Sequence, residues 1–143
     1  MKKDVMIRIK STQTVDGQKD VIEVLTAGSF YKRNSNYYIM YDETEATGFD
    51  GAKTLLRYEP KQNRVTMSRT GENGSQLIIE KGRRHQCNYN TGYGDLTIGV
   101  LGSSLKSELT ENGGQISFCY SLDINTALTS ENAVDIYVAE DEF

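Results

Sequence analysis

The sequence predicts an all-β domain, a single closed antiparallel meander barrel of about eight to ten strands in series. Three observations predict it. Apolar residues recur with a period of two, turn signals separate the alternating runs, and the one proline, Pro60, sits at a turn and not inside a run. Alternation sorts side chains onto two faces of a strand, whereas a helix would scatter the same residues around its circumference. A meander of this length must curl, split into two layers or close. Closure removes exposed edges, which favours a barrel over its rival, a two-layer sandwich.

From the N-terminus, VMIRIK sets Val5, Ile7 and Ile9 against Met6, Arg8 and Lys10. Asp16-Gly17 then marks a tight turn, because Asp-Gly and Asn-Gly accept positive φ at little cost. Asn34-Ser35 follows Tyr31 and Lys32, and leads into NYYIMYDE. The best helix candidate is Asp42 to Lys53, and its two glycines argue against a long one. Pro60 to Asn63 divides LLRYE from RVTMSR, and Asn73-Gly74 divides RVTMSR from QLIIE. KGRRH, from Lys81 to His85, reads as a charged turn before the next strand. Asn112-Gly113 precedes QISFCYSLDIN, where Ile116, Phe118, Tyr120, Leu122 and Ile124 share one face. NAVDIYVAE closes the series with Val134, Ile136 and Val138 on one side.

The stretch YNTGYGDLTIGVLGSSL, Tyr89 to Leu105, holds four glycines and raises the question of a phosphate loop. Such a loop needs a following helix, and its lysine or its full GxGxxG spacing. DLTIGVLGSS alternates like a strand, and neither signature is present. Gly92 and Gly94 therefore read as a turn or bulge, and Gly99 and Gly102 as bends in a long strand.

A length of 143 residues suits one domain, residues 1–143, large enough to bury a core without staples. The net charge of -4, from 20 acidic and 16 basic residues, disfavours nucleic acid as a partner. The terminus MKKDVMIRIK is charged at once and has no apolar h-region, so neither a signal peptide nor a membrane segment is expected. Cytoplasmic location follows as the default, and two reduced cysteines, Cys87 and Cys119, fit it. The acidic tail AEDEF reads as solvated.

Several motifs resemble the YwiB-like family of small bacterial proteins. They are YNTGYGDL from Tyr89, the G-x-I-x-x-x-Y-x-L spacing from Gly114 to Leu122, Arg69-Thr70-Gly71 and Tyr41-Asp42-Glu43, in that family's order. The likeness covers nearly the whole chain. It implies a calycin or lipocalin-like β-barrel and supplies no catalytic residues. The chain has no tryptophan, so the Gly-x-Trp signature of lipocalins is missing.

Polar residues in phase with apolar ones are the candidates for function. Glu43 shares a face with Tyr37, Ile39 and Tyr41, and Arg69 with Val65 and Met67. Tyr89 shares one with Cys87 and Thr91, and Tyr120 with Phe118 and Leu122. If these faces line a barrel, Glu43, Arg69, Tyr89 and Tyr120 form a ligand-binding group. A buried charge needs a partner, so an inward Arg69 is expected beside Glu43. The guanidinium fork also matches a carboxylate or phosphate. The plainer reading is that both sit at strand ends and meet water or each other. His85 is the sole histidine, and a zinc site from His85, Cys87 and Cys119 is poorly supported. No catalytic constellation and no cofactor are indicated.

Two functions stay open from sequence. One is a binding module for a small anionic or amphipathic molecule. The other is a non-catalytic module with a filled barrel and a tyrosine-bearing surface (Tyr31, Tyr38 and Tyr137) for a protein partner or a second copy.

Overall fold

The computed structural model describes residues 2–43, 51–70, 74–90 and 94–140. Among the described residues ten strands run in chain order: β1 (Lys3–Val15), β2 (Gln18–Arg33), β3 (Asn36–Asp42), β4 (Lys53–Glu59), β5 (Arg64–Arg69), β6 (Ser75–Glu80), β7 (Arg84–Asn90), β8 (Asp95–Ser107), β9 (Gly113–Ile124) and β10 (Ala127–Ala139). Each pairs antiparallel with its neighbours in sequence, and β1 pairs with β10 from Met6↔Ala139 to Thr14↔Glu131, closing the barrel. The fold is therefore the all-β meander barrel that the alternation implies. The described residues contain no α-helix, only a 3-10 turn at Pro60–Gln62. Most of the helix candidate, residues 44–50, lies outside the described residues, as do the turn residue Asn73 and Gly92.

The alternating runs face as their parity requires. Ile7, Phe30, Ile39, Leu56, Val65, Ile79, Val100, Ile116, Phe118 and Ile136 are all essentially inaccessible, so every strand but β7 puts a fully buried residue into one core; β7 contributes Cys87, whose thiol burial pushes to a higher pKa. Two turns lack glycine altogether: Asn34-Ser35 and Asn125-Thr126 both hold positive φ. The second is not signalled by any Asn-Gly or Asp-Gly pair, and the sequence reading passes over it. The long β2 is likewise missed, because QKDVIEVLTAG puts Asp20 among its inward positions and the apolar Val21 and Leu25 among its outward ones.

In the glycine-rich stretch the strand reading holds, and β8 runs through it for 13 residues. Gly102 sits at a bulge, where β8 slips register against β9 between Gly102 and Ser104. A Cβ there would stand 2.6 Å from the Glu80 carbonyl oxygen. Gly99 has a different role from the expected bend. The Arg84 guanidinium lies across it and reaches Asp123 on β9, with Nη2–Oδ1 2.6 Å and Nε–Oδ2 3.0 Å. One side chain thus braces three strands.

The weakest seam is β6–β7, with one registered pair, Ser75↔Tyr89, and an isolated bridge at Glu80↔Arg83. Within it the Ile78 N–H donates to Cys87 Sγ at 3.4 Å. Cys87 and Cys119 are both free thiols, on strands separated by β8.

At the end carrying the β4–β5 turn, Arg64 grips Glu59 with two bonds, Nε–Oε1 3.0 Å and Nη2–Oε2 2.9 Å. Arg57 adds a contact at 3.4 Å, and Glu80 links Arg64, Arg83 and His85 into the same network. The Arg64 hydrogen bond foremost holds the Glu59 carboxyl below its usual pKa. A depressed carboxylate contributes stability that is present above its unfolded value, about 4.3, and is lost as pH falls through the folded one. The urea midpoint of the wild type should therefore drop from pH 5 toward pH 3 more steeply than that of Glu59→Gln. Equal slopes would remove Glu59 from the acid response.

Candidate functional site

The strands differ in length by a factor of two, and this shapes the site. β1, β2 and β8 to β10 have 12 to 16 residues, against 6 or 7 in β3 to β7. At ~3.3 Å per residue the long strands span about 40–53 Å and the short ones about 20 Å. The long strands form a high wall on one side, and the interior opens where the short ones end.

A cavity of about 250 Å³ occupies that opening. Its walls are apolar, with Ile22 and Val24 from β2, Met67 and Leu77 from β5 and β6, and Leu122 and Val134 from β9 and β10. Ser11, Gln13, Asp20 and Asn132 add a polar lining. Tyr41, Glu43, Arg69 and Tyr120 bring the polar and charged groups of the short side together in the same space.

Each of these four follows from parity. Glu43 comes one residue after β3, in step with Tyr37, Ile39 and Tyr41, and its N–H bonds to the Ala52 carbonyl at 2.8 Å. Arg69 ends β5 directly opposite Thr54 on β4. Arg69 Nη2 stands 3.4 Å from Glu43 Oε1, and the Thr54 hydroxyl donates to the same oxygen in a short hydrogen bond. The Glu43 side chain is 2% exposed and that of Arg69 19%, so this is an ion pair formed inside the wall, with water reaching only the arginine. Burial first, then the Glu43 carboxylate, raise the Tyr41 hydroxyl far above its usual pKa, which keeps it protonated. Tyr120 comes in from β9, with its ring 6.2 Å from Phe118.

The expected pairing of Arg69 with Glu43 is thus present, and Tyr120 lines the same cavity. Tyr89 belongs to β7, and its side chain lies outside the described residues, as does Thr91. Thr54 was missed, although its step with Leu56 and Tyr58 in KTLLRYE was available as a signal. Asp20, Ile22 and Val24 were missed with the long β2. Among the described residues no three His, Cys, Asp or Glu side chains gather as a metal site. His85 lies instead against Glu80, with Nε2–Oε1 3.0 Å. No helix among the described residues is long and apolar enough to cross a membrane.

The arrangement can hold a molecule with an apolar body and a hydrogen-bonding head. The Arg69–Glu43 pair and the Tyr41 hydroxyl present both donors and acceptors. Of the three tyrosines expected to be exposed, only Tyr137 is fully so. Tyr31 and Tyr38 are half-buried and stack on each other at 4.6 Å.

Comparison with known proteins agrees with this fold. The chain is 26% identical over 120 residues to a protein of Bacillus subtilis described as the uncharacterized beta-barrel protein YwiB, an alignment covering 84% of this chain and 82% of that one. The crystal structure of the ywiB protein from Bacillus subtilis superposes with a TM-score of 0.80 at 22% identity, covering 95% of this chain and 92% of the other. A family model described as a domain of unknown function, DUF1934, matches residues 7–136, and the chain belongs to that family.

Proposed function

We propose that the barrel is a binding module for one small amphipathic molecule held in the cavity beneath the mouth. The observation that carries this is the Glu43–Arg69 ion pair at the wall of an open, otherwise largely apolar cavity. A barrel that served only as a scaffold could fill this space with side chains. Its volume of about 250 Å³ is close to the small end of ligand pockets, ~300 Å³. Arg69 is engaged by Glu43, so a ligand head joins a neutral pair and does not meet a bare cation. That favours an amphipathic molecule over a simple anion. A meander barrel with one open end is also the calycin arrangement, and we take the likeness as further support for a cargo inside. Cys87 and Cys119 stand as thiols, in keeping with a reducing, cytoplasmic compartment.

Native mass spectrometry of protein purified gently from bacterial cells tests this reading against its denatured mass. A stoichiometric extra mass that leaves on denaturation is the expected result, and Glu43→Leu/Arg69→Met together with Tyr120→Phe should lower its occupancy at least tenfold. A bare mass, repeated after incubation with a cell extract, would sink the reading. The second reading, a partner-binding module, would then gain from the exposed Tyr137 and the Tyr31–Tyr38 stack on the outer face.

A further inference from the structure

The high wall leaves an edge. The β2–β3 ladder begins at Gly28↔Tyr41, so Gln18–Ala27 runs past β3 with no partner on that side among the described residues. β1 covers only the other side of this segment. It carries three exposed large apolar side chains, Val21 at 54% and Leu25 at 57% on the outer face and Ile22 at 39% on the face toward the cavity.

The backbone of this edge has a defined pattern. Val15↔Gln18 closes the two-residue turn Asp16-Gly17, and Arg33↔Asn36 closes Asn34-Ser35. The closing pair of such a turn is hydrogen-bonded, and bonded and non-bonded positions alternate along the strand. Even residues of β2 therefore bond to β1, and odd ones aim N–H and C=O toward the β3 side. Past β3, the odd positions Lys19, Val21, Glu23 and Leu25 present ladder groups with no partner among the described residues, a template for another strand.

We propose that two copies of this chain pair through that edge, Gln18–Val24 against Gln18–Val24, antiparallel about Val21. Charge selects the occupant and the register. Centred on Val21, a two-fold pairing sets Val21 against Val21 and Lys19 against Glu23 twice, using the hydrogen-bonding positions of both strands. Centring on Glu23 or Lys19 would set like charges against each other, and centring on Asp20 does the same. Centring on Ile22 sets Glu23 against Val21 and Lys19 against Leu25, with no charge pairing. Opposite charges across a ladder attract and like charges repel, so one register is favoured. The same charges that keep unrelated strands off an exposed edge become complementary only to a second copy.

Sedimentation or light scattering of the full chain across a wide concentration range tests this. A concentration-dependent dimer is expected. Glu23→Lys should raise its dissociation constant about tenfold or more, and Lys19→Glu combined with Glu23→Lys should restore it. Both positions are solvent-exposed, so circular dichroism should stay unchanged in each variant. Glu23 stands opposite Lys10 and Lys19 opposite Thr14 on β1. Glu23→Lys should therefore also lower the melting midpoint slightly, a loss that Lys19→Glu does not restore, whereas the dimer is restored. A monomer at every concentration overturns the proposal. So does a dimer indifferent to Glu23→Lys, or one that the double exchange fails to restore.

Discussion

Replacing Gly28 by valine is expected to cost about 3 kcal/mol or more, a large part of the ~5–15 kcal/mol that stabilises an ordinary domain. The reason is space, not backbone freedom. Gly28 sits in β2 between Val5 and Tyr41. A Cβ there would overlap the Met40 carbonyl oxygen, stand 2.5 Å from Ile7 Cδ1 and reach 3.2 Å from Tyr41 Cβ. The carbonyl belongs to the β2–β3 ladder and Ile7 to the core, so neither can withdraw cheaply. Gly17 is the control, because it holds φ +78° with open space around it. Gly17→Ala should cost only about 1 kcal/mol, from the positive φ alone. Urea unfolding of Gly28→Ala and Gly17→Ala decides the matter. If alanine costs no more at 28 than at 17, the packing explanation fails.

The second large effect is expected at Glu43. Glu43→Ala leaves the Arg69 guanidinium facing the cavity without its carboxylate and takes the acceptor from the Thr54 hydroxyl. Breaking a fully buried pair costs ~3–5 kcal/mol. Arg69 keeps some access to water, so about 2–3 kcal/mol is the expectation here. The double variant Glu43→Leu/Arg69→Met removes both charges and should recover most of that loss, since a well-packed apolar replacement of an ion pair is often neutral. A double-mutant cycle of Glu43→Leu, Arg69→Met and the two combined, by urea unfolding, reads the coupling directly. Additive losses, with no recovery in the double variant, would mean that the two groups do not depend on each other. The cycle also separates fold from binding, because the double variant should stay folded while losing the polar head of the cavity.

Much of the wall was legible from alternation. Ile7, Ile39, Val65, Ile116 and Ile136 point inward because each stands in phase with its apolar neighbours, and a strand leaves no third choice of face. The same parity placed Glu43, Arg69 and Tyr120 on the inner face, and the cost of an isolated charge paired the first two. Where the signal failed, it failed for local reasons. In β2, Lys19, Asp20 and Glu23 break up the apolar pattern, because past β3 both faces of the strand meet water. The Asn125-Thr126 turn takes positive φ without glycine, so composition alone does not mark it.

By itself, then, the amino-acid sequence determined the all-β class, the meander order, the faces of the clearest strands and the partners Glu43 and Arg69. Each is a local property, set by side-chain alternation, turn chemistry or the desolvation of a charge. Only the tertiary structure decided the rest. The β1–β10 closure, the unequal strand heights and the β8 bulge beside Glu80 depend on how distant strands register, and a register carries no mark within any one strand. The cavity, the crowding at Gly28 and the open edge of β2 are consequences of that registration. They arise where chain segments far apart in sequence meet, or stop short of meeting.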